Sequence, residues 1–302
     1  MRDIHAMSPD HGRLRLGSVG LSGIRKPLTV QRREGTHTLA VEFRVAVDLP
    51  SERKGSDLSR NAEILSEIVD ETVTRPVGGL ETACSTIARE LLVRHPSATE
   101  SYVEASAEYF LRKGISEQKR SYEDYSLLAE AHATRKSDGT VSLVRSVGAE
   151  AVGMTACPCA METCRDRLAE EFPALGEPGL AALPMITHNQ RNRTRLVLEL
   201  DDTNEAEADE LIVAIEAAQS SPTYAILKRG DEAQVVLDAH RHPKFVEDVL
   251  RDLLASLPGR FPALPDATGV RASTVSEESI HKYNVEASHH TTLGELRRST
   301  GA

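Results

Sequence analysis

Residues 125–147 read YSLLAEAHATRKSDGTVSLVRSV and contain the clearest fold signal in the chain. Two strand-like runs, Tyr125 to Arg135 and Thr140 to Val147, flank the tripeptide Ser137-Asp138-Gly139. An Asp-Gly pair between two such runs is a strong signal for the tight turn of a β-hairpin. The stretch therefore predicts two neighbouring antiparallel strands, which argues against a strict alternation of strands and helices.

The segments around this hairpin predict strands together with pairs of helices. Before it, an alternating strand pattern and two stretches with apolar residues at helical spacing occupy residues 36–49, 57–72 and 79–94. After it, strands are predicted at 193–200, near Val235 and at 270–276, helices at 205–218 and 244–257, and a loop at 178–184. The order of elements recurs approximately in the second half, without a clear residue-level repeat. Together these elements predict an α+β fold.

The 302-residue chain is long enough for one large or two ordinary domains. We expect an N-terminal arm or edge strand over residues 1–35, a first half over 36–156, a second half over 157–284, and a flexible tail over 285–302. Most of the candidate site residues fall in the second half.

Composition excludes several classes of function. The chain carries 36 Lys and Arg against 46 Asp and Glu, a net charge of −10, with no long basic block. This argues against an electrostatic binder of nucleic acid or of membranes, and an aromatic content of 4% without Trp offers little base stacking. No apolar run approaches the roughly 20 residues of a spanning helix, and no signal peptide is evident. We expect a soluble, cytoplasmic protein with a small polar or anionic ligand.

Three of the four cysteines, Cys157, Cys159 and Cys164, lie close together in the sequence. Cys157-Pro158-Cys159 cannot easily close as a disulfide, because the sulfurs of residues two apart are badly placed and the proline stiffens the turn. Two thiols on one rigid turn can instead serve separate tasks, one as a metal ligand and the other facing a substrate. The alternative is two small buried apolar side chains.

Other polar residues extend this candidate site. His188 begins a polar cluster before the strand at 193–200 and can complete a metal site with Cys157. Glu247 falls in the first turn of a predicted helix, where a carboxylate is also favoured by the helix dipole. Glu278 and His281, three residues apart, can act as a coupled acid/base pair. The residue types alone predict a metal-assisted enzyme with cysteine chemistry.

Six motifs occur in a defined order: KGSDLSR at 54–60, Cys157-Pro158-Cys159, HNQR at 188–191, LKRGDE at 227–232, PKFVED at 243–248 and ESIH at 278–281. In this order they resemble the type IB GTP cyclohydrolase family, which includes the archaeal MptA enzymes, from about residue 12 to 284. The resemblance implies a tunnelling fold, with two related ββαα-like halves, antiparallel sheets and helices on one face. It also implies a homotetramer whose active sites lie between subunits.

The resemblance further implies a hydrolase that opens the imidazole ring of GTP, or of a related purine nucleotide, at C8. Formate is released, and the product is a dihydroneopterin phosphate. One divalent metal per subunit, Fe²⁺, Mn²⁺ or Zn²⁺, is expected on Cys157, His188 and Glu232. The other implied roles are a substrate-facing thiol at Cys159, proton transfer at Glu278 and His281, a guanine anchor at Glu247, and phosphate clamps at Arg60 and Arg191.

Two departures from the family pattern affect the expected chemistry. Ser56-Asp57-Leu58 stands where members usually carry Thr-His-Met. Tyr283, which is expected among the catalytic residues, stands where they usually carry a second His. Asp57 places negative charge where a triphosphate is expected, and such a like-charge contact weakens phosphate binding. Two alternatives therefore stay open. One is a divergent paralogue that acts on another purine nucleotide or stops at a ring-opened intermediate in specialised metabolism, and the other is a non-catalytic purine- or pterin-binding protein of the same fold.

Overall fold

The computed structural model of the protein describes residues 4–8, 14–32, 35–115, 120–181 and 183–301. The remaining positions of the predicted arm, loop and tail lie outside the described residues. None of the described helices is both long enough and apolar enough to cross a membrane.

Strands and helices follow one another along the described chain. The strands are β1 Leu16–Arg32, β2 Gly35–Leu49, β3 Glu100–Lys113, β4 Ser121–Arg135, β5 Val141–Ala156, β6 Asn189–Leu200, β7 Ser221–Pro222, β8 Gly269–Ser276 and β9 Val285–Thr292. The helices are α1 Leu58–Thr74, α2 Leu80–Arg94, α3 Pro158–Glu171, α4 Gly176–Ala181, α5 Ala208–Ala218, α6 Arg229–Arg241, α7 Val246–Arg260 and α8 Leu293–Thr300.

The strands are hydrogen-bonded in the order β1-β2-β3-β4-β5-β6-β8-β9, and β7 pairs with β5. The pairs β1–β2, β2–β3, β5–β7 and β8–β9 are antiparallel. Two strands, two main helices and two further strands occur twice, first as β1-β2-α1-α2-β3-β4 and then as β5-β6-α5-α7-β8-β9. This arrangement confirms the predicted α+β class and its repeated element order. The second occurrence begins at β5, whereas the sequence put the boundary after residue 156.

The predicted hairpin is present as β4 and β5. Gly139 adopts φ +83° in the connecting turn, a conformation that suits glycine because it has no Cβ. The backbone N–H of Thr140 donates to Oδ1 of Asp138 at 2.9 Å, which supports the turn. The Asp-Gly signal thus marked the correct position.

Contacts divide the chain into two compact units. The first unit comprises Met1–Tyr109, Ser126–Gly148 and Glu199–Glu205, and the second comprises Phe110–Tyr125, Ala149–Leu198 and Ala206–Ala302. In the first unit, α1 packs on α2 and on β1, and Phe43, Ile64 and Leu91 are buried. In the second unit, α7 packs on α5, α8, β8 and β9, with Leu253 and Leu257 fully buried.

Some segments agree with the sequence-based expectations and others differ. The edge strand expected as one alternative for residues 1–35 is present as β1, which lies at one end of the strand order. The predicted loop at 178–184 overlaps the short helix α4. The predicted strand near Val235 is wrong, because α6 occupies this segment and buries Val235 and Ala239, four residues apart, as a helix does.

The predicted flexible tail instead forms β9 and α8. Leu293 and Leu296 of α8 are buried, and Oγ1 of Thr292 accepts a hydrogen bond from the backbone N–H of Glu295 at 3.2 Å. A capped helix with buried leucines is a packed element of the fold. The strand β3 was also not expected from the sequence.

Candidate functional site

A cavity of about 220 Å³ in the second unit brings together polar residues from separate elements. Six of the ten predicted site residues line it: Cys157, His188, Glu247, Glu278, His281 and Tyr283. They come from the start of α3, the segment before β6, the first turn of α7, and the connection between β8 and β9. The fold therefore assembles most of a site that the sequence distributes over more than 120 residues.

Cys157 is the N-cap residue of α3, and Pro158 occupies the first turn of the helix. Proline suits this position because the helix needs no hydrogen bond from its first N–H group. The Cys157 Sγ accepts a hydrogen bond from the backbone N–H of Ala160 at 3.4 Å. Its backbone N–H donates to the carbonyl of His188 at 3.1 Å, and Thr187 Oγ1 donates to the Cys157 carbonyl at 2.7 Å. These bonds hold the two predicted metal ligands beside each other.

The imidazole of His188 is oriented by two neighbouring side chains. Its Nδ1 lies 2.9 Å from Oε1 of Gln190, whose Nε2 donates to Thr155 Oγ1 at 2.9 Å. With the Gln190 oxygen as its neighbour, Nδ1 is suited to carry the ring proton, which would leave the lone pair of Nε2 for a metal. Oε2 of Glu278 lies 3.7 Å from the same Nδ1, and only 8% of this glutamate side chain is exposed.

Glu247 and an aromatic pair form the more open part of the cavity. Glu247 has an exposed side chain in the first turn of α7, and the neighbouring Asp248 caps this helix by accepting from the Phe245 backbone N–H at 3.0 Å. The rings of His281 and Tyr283 are stacked, with centroids 5.0 Å apart and planes 6° from parallel. Both side chains are exposed, so they are accessible to a ligand that enters the cavity.

Four predicted site residues do not line this cavity. Cys159 lies exposed in the first turn of α3, Glu232 lies exposed on α6, and Arg191 lies exposed on β6. Arg60 belongs to the first unit, where its Nη1 donates to the Arg94 carbonyl at 2.8 Å and lies 3.3 Å from Oδ2 of Asp57.

The side chains at the cavity fit a divalent metal by their chemistry. A thiol, an imidazole nitrogen and a carboxylate are the donors that Zn²⁺ and similar borderline ions prefer. Oε2 of Glu278 is buried without a hydrogen-bond partner, so a polar group is missing from its surroundings. Among the described residues, however, no three His, Cys, Asp or Glu side chains are grouped closely enough to hold an ion. Cys157 and His188 supply two donors, and Glu232 as the third stays a prediction.

The sequence profile of the type I GTP cyclohydrolase folE2 family matches residues 1–287. The chain belongs to this family. The resemblance drawn from the six motifs is therefore confirmed. The match to the folE2 family covers nearly the whole chain.

Individual relatives of this folE2 family member agree. The GTP cyclohydrolase MptA of Methanococcoides burtonii is 39% identical over 293 residues, which cover 94% of this chain and 92% of the relative. The GTP cyclohydrolase MptA 2 of Methanocella arvoryzae is 38% identical over 296 residues, or 95% of each chain. Among solved structures, uricase from Arthrobacter globiformis aligns with a TM-score of 0.53 at 7% identity, covering 92% of this chain and 94% of that chain. Urate oxidase is a tunnelling-fold protein, so this likeness confirms the predicted fold and says nothing of activity.

Sequence reasoning gave no role to several residues around the site of this folE2 family member. Gln190 and Lys244 line the cavity and fall within two of the motifs. The Lys244 backbone N–H donates to the Ala156 carbonyl at 3.0 Å, which attaches the start of the PKFVED segment next to Cys157. Thr155 and Asn192 lie deeper and are buried. Polar residues at alternate positions of β6 were the available signal for this buried layer.

Proposed function

We propose that this protein is a metal-dependent GTP cyclohydrolase that opens the purine imidazole ring at C8, releases formate and forms a dihydroneopterin phosphate. The observation that carries the proposal is the common cavity of Cys157, His188, Glu247 and Glu278 in a member of the folE2 family. The names of the relatives, all GTP cyclohydrolases, support the same hydrolase activity.

Cys157 Sγ and His188 Nε2 hold the metal in this proposal, with Glu232 as the third ligand implied by the resemblance. Fe²⁺, Mn²⁺ and Zn²⁺ all suit this set of donors. A bound divalent metal would supply hydroxide at neutral pH, because it lowers the pKa of water from 15.7 towards about 7. The side chains of the protein bind the purine and move protons around this step.

Glu247 anchors the guanine by accepting hydrogen bonds from the N–H groups of its pyrimidine edge. Loss of such an acceptor would leave buried donors of the base without partners. Glu278 and His281 exchange protons with the ring nitrogens during opening, since both side chains line the same cavity. Tyr283 holds the ring of His281 by stacking, at the position where relatives carry a second His.

We propose that the remaining predicted residues act in a homotetramer. Cys159, Glu232 and Arg191 are exposed on the single chain, which is the exposure expected of residues that complete a site shared with another copy. Cys159 then faces the substrate as a thiol, and Arg60 and Arg191 bind phosphate through their guanidinium groups.

The proposal is tested by anaerobic incubation of the protein with GTP after separate reconstitution with Fe²⁺, Mn²⁺ and Zn²⁺. A coupled assay follows formate, and mass spectrometry identifies the product. We expect formate and a dihydroneopterin phosphate mass with at least one metal. Cys157→Ala should lose metal and formate release, whereas Cys164→Ala on the same helix should keep both. Binding of GTP without formate for any metal would instead favour the non-catalytic binding protein.

One observation favours a second candidate, a divergent paralogue that uses a less phosphorylated purine nucleotide. The carboxylate of Asp57 lies 3.3 Å from Nη1 of Arg60 and 3.5 Å from Nη2 of Arg53. These two cations are thus already compensated by the protein itself, which lowers their attraction for a triphosphate. Turnover of GTP, GMP and guanosine measured side by side separates the candidates, because only the paralogue would prefer the substrates with fewer phosphates.

A further inference from the structure

We infer that a buried chain of amides and hydroxyls sets the tautomer and the orientation of His188, with Gln190 and Thr155 as its positioning residues. The inference rests on the proposed function, since it takes His188 as a metal ligand. It concerns residues to which neither the motifs nor the family resemblance gave a role.

The chain of hydrogen bonds runs from the cavity into the interior of the second unit. Gln190 Nε2 donates to Thr155 Oγ1 at 2.9 Å, and Thr155 Oγ1 lies 3.2 Å from Ser276 Oγ. Ser276 Oγ in turn donates to Asn192 Oδ1 at 3.0 Å. All four side chains are buried. His188, Gln190 and Ser276 line the cavity, and His188 is the candidate metal ligand among them.

The donor and acceptor roles along this chain follow from the orientation of two amides, Asn192 and Gln219, at its inner end. Asn192 Nδ2 points to three oxygen atoms: Gln219 Oε1 at 2.8 Å, Thr274 Oγ1 at 2.8 Å and Thr194 Oγ1 at 3.2 Å. Gln219 Nε2 donates to Thr194 Oγ1 at 2.9 Å, and Gln219 Oε1 accepts from Asn192 Nδ2. In this arrangement the amide of Asn192 turns its Oδ1 towards Ser276.

The remaining roles follow one after another from Asn192. Because the Ser276 hydroxyl hydrogen is used on Asn192, Thr155 must donate to Ser276. Thr155 therefore accepts from Gln190 Nε2, and Gln190 turns its oxygen towards His188 at 2.9 Å. The imidazole then has to donate from Nδ1, which leaves the Nε2 lone pair for a metal. Outer hydrogen bonds of this kind orient metal-binding histidines and raise their affinity for the ion.

The sheet positions show that this polar layer is local to the site. On β6 the side chains of Gln190, Asn192 and Thr194 are buried, and the same face continues with the apolar Leu196 and Leu198. Polar side chains in a sheet interior are retained only where each finds a partner, because an unmet polar group there is costly. The polar half of the strand is the half next to His188.

The backbone also makes room for the inner end of the chain. A Cβ atom at Gly153 of β5 would lie 2.3 Å from Cγ of Gln219. Glycine at this position therefore lets Gln219 reach Asn192 and Thr194. A side chain at position 153 would thus displace Gln219, whose amide contacts that of Asn192.

The test measures Co²⁺ binding, by chelator competition and by the visible absorption of the bound ion, in protein without other metal. We expect Gln190→Leu to lower the Co²⁺ affinity by about 10- to 100-fold and to alter the spectrum. Gln190→Glu should keep the affinity near that of the wild type, because one carboxylate oxygen still accepts from His188 Nδ1. The Thr155 hydroxyl can turn from Ser276 to donate to the other oxygen. Thr155→Val should weaken binding by about tenfold.

Thr72→Val is the matched control for Thr155→Val. Thr72 is equally buried, but it lies in the first unit, where its hydroxyl donates to the Val69 carbonyl at 2.7 Å. Melting of the metal-free proteins measures the general cost of losing a buried hydroxyl, and Thr72→Val should share this cost while its Co²⁺ affinity stays unchanged.

Three outcomes would overturn the inference: unchanged affinity and spectrum in folded Gln190→Leu, equal losses in Gln190→Leu and Gln190→Glu, or a wild-type protein that binds no Co²⁺. Formate assays on the same wild-type sample separate this inference from the proposed function. Wild-type protein that binds Co²⁺ but releases no formate with any metal contradicts the proposed function alone. Active wild-type protein with an unaffected Gln190→Leu variant contradicts the inference alone.

Discussion

Oε2 of Glu278 lies 3.7 Å from Nδ1 of His188, and both side chains are largely buried. This carboxylate oxygen has no hydrogen-bond partner among the described residues. A buried acceptor left without a partner costs about 1–3 kcal/mol. A ligand or a reaction step that uses this oxygen would account for the cost. Proton exchange with the purine ring, the role proposed for Glu278, is such a step.

Glu278→Gln should therefore separate activity from stability. We expect formate release to fall by about 10²- to 10⁴-fold, because the amide cannot exchange the proton. The melting temperature should stay equal or rise, since the substitution removes an ionisable group from a largely buried side chain whose Oε2 has no hydrogen-bond partner. Glu277→Gln is the matched control, because Glu277 is the exposed neighbour and should leave the rate unchanged. Equal rates for the two variants would contradict the role of Glu278.

The stacked rings of His281 and Tyr283 predict different effects for two substitutions of the tyrosine. Tyr283→Phe keeps the stacked ring and should retain formate release within about threefold of the wild type, since the contact with His281 is made by the ring and not by the hydroxyl. Tyr283→Ala removes the ring that holds His281 and should lower the rate by about tenfold or more. Formate and product mass are measured for each variant. A rate in Tyr283→Phe as low as in Tyr283→Ala would show that the hydroxyl itself takes part.

The sequence predicted those parts of the fold that have strong local signals. The Asp138-Gly139 turn and the alternation in β2 needed no tertiary information. The strand β3 was missed because its buried positions include the small residues Ala105 and Ala107, between exposed glutamates, so its period-two pattern has low contrast. Val235 was misassigned because a short apolar run fits a strand or a helix equally well.

The site was predictable to the extent that its residues fall in short motifs. Cys157 and His188 were found because both residue types are common metal ligands at a suggestive position. The hydrogen-bonded layer behind them was missed because Thr155 and Asn192 are ordinary polar residues, 37 positions apart in sequence, and only strand pairing brings them together. The position of Glu232 relative to the cavity likewise depends on how α6 packs, which spacing does not specify.

His95 predicts a dependence of stability on pH near neutrality. Burial lowers the pKa of His95, and the positive charge of Arg60 lowers it further, against an opposite effect of Asp57. The folded protein thus keeps the ring neutral, while the unfolded chain takes up a proton below about pH 6.5. The contribution of the neutral His95 to the free energy of unfolding is therefore complete above this pH. It decreases as the pH falls below it.

Urea unfolding between about pH 5.5 and 7.5 measures this effect of His95, because that window includes the ordinary pKa of histidine. His95→Gln can still donate to Oδ1 of Asn61, which lies 2.7 Å from the His95 ring. Its stability should fall less steeply towards low pH than that of the wild type. Parallel curves for the two proteins would show that other groups cause the dependence.

Asp57 predicts a change in phosphate preference that a single substitution reveals. Asp57→Asn removes the negative charge that faces Arg53 and Arg60, so both guanidinium groups attract phosphate oxygens more strongly. We expect the KM for GTP to fall by about tenfold, equivalent to about 1.4 kcal/mol, while the KM for guanosine stays unchanged. Asp70→Asn is the control, since Asp70 is exposed on α1, the helix that Asp57 precedes as its N-cap residue, and its substitution should alter neither value. An equal change for GTP and guanosine would mean that Asp57 acts on the fold of the first unit and not on the recognition of phosphate.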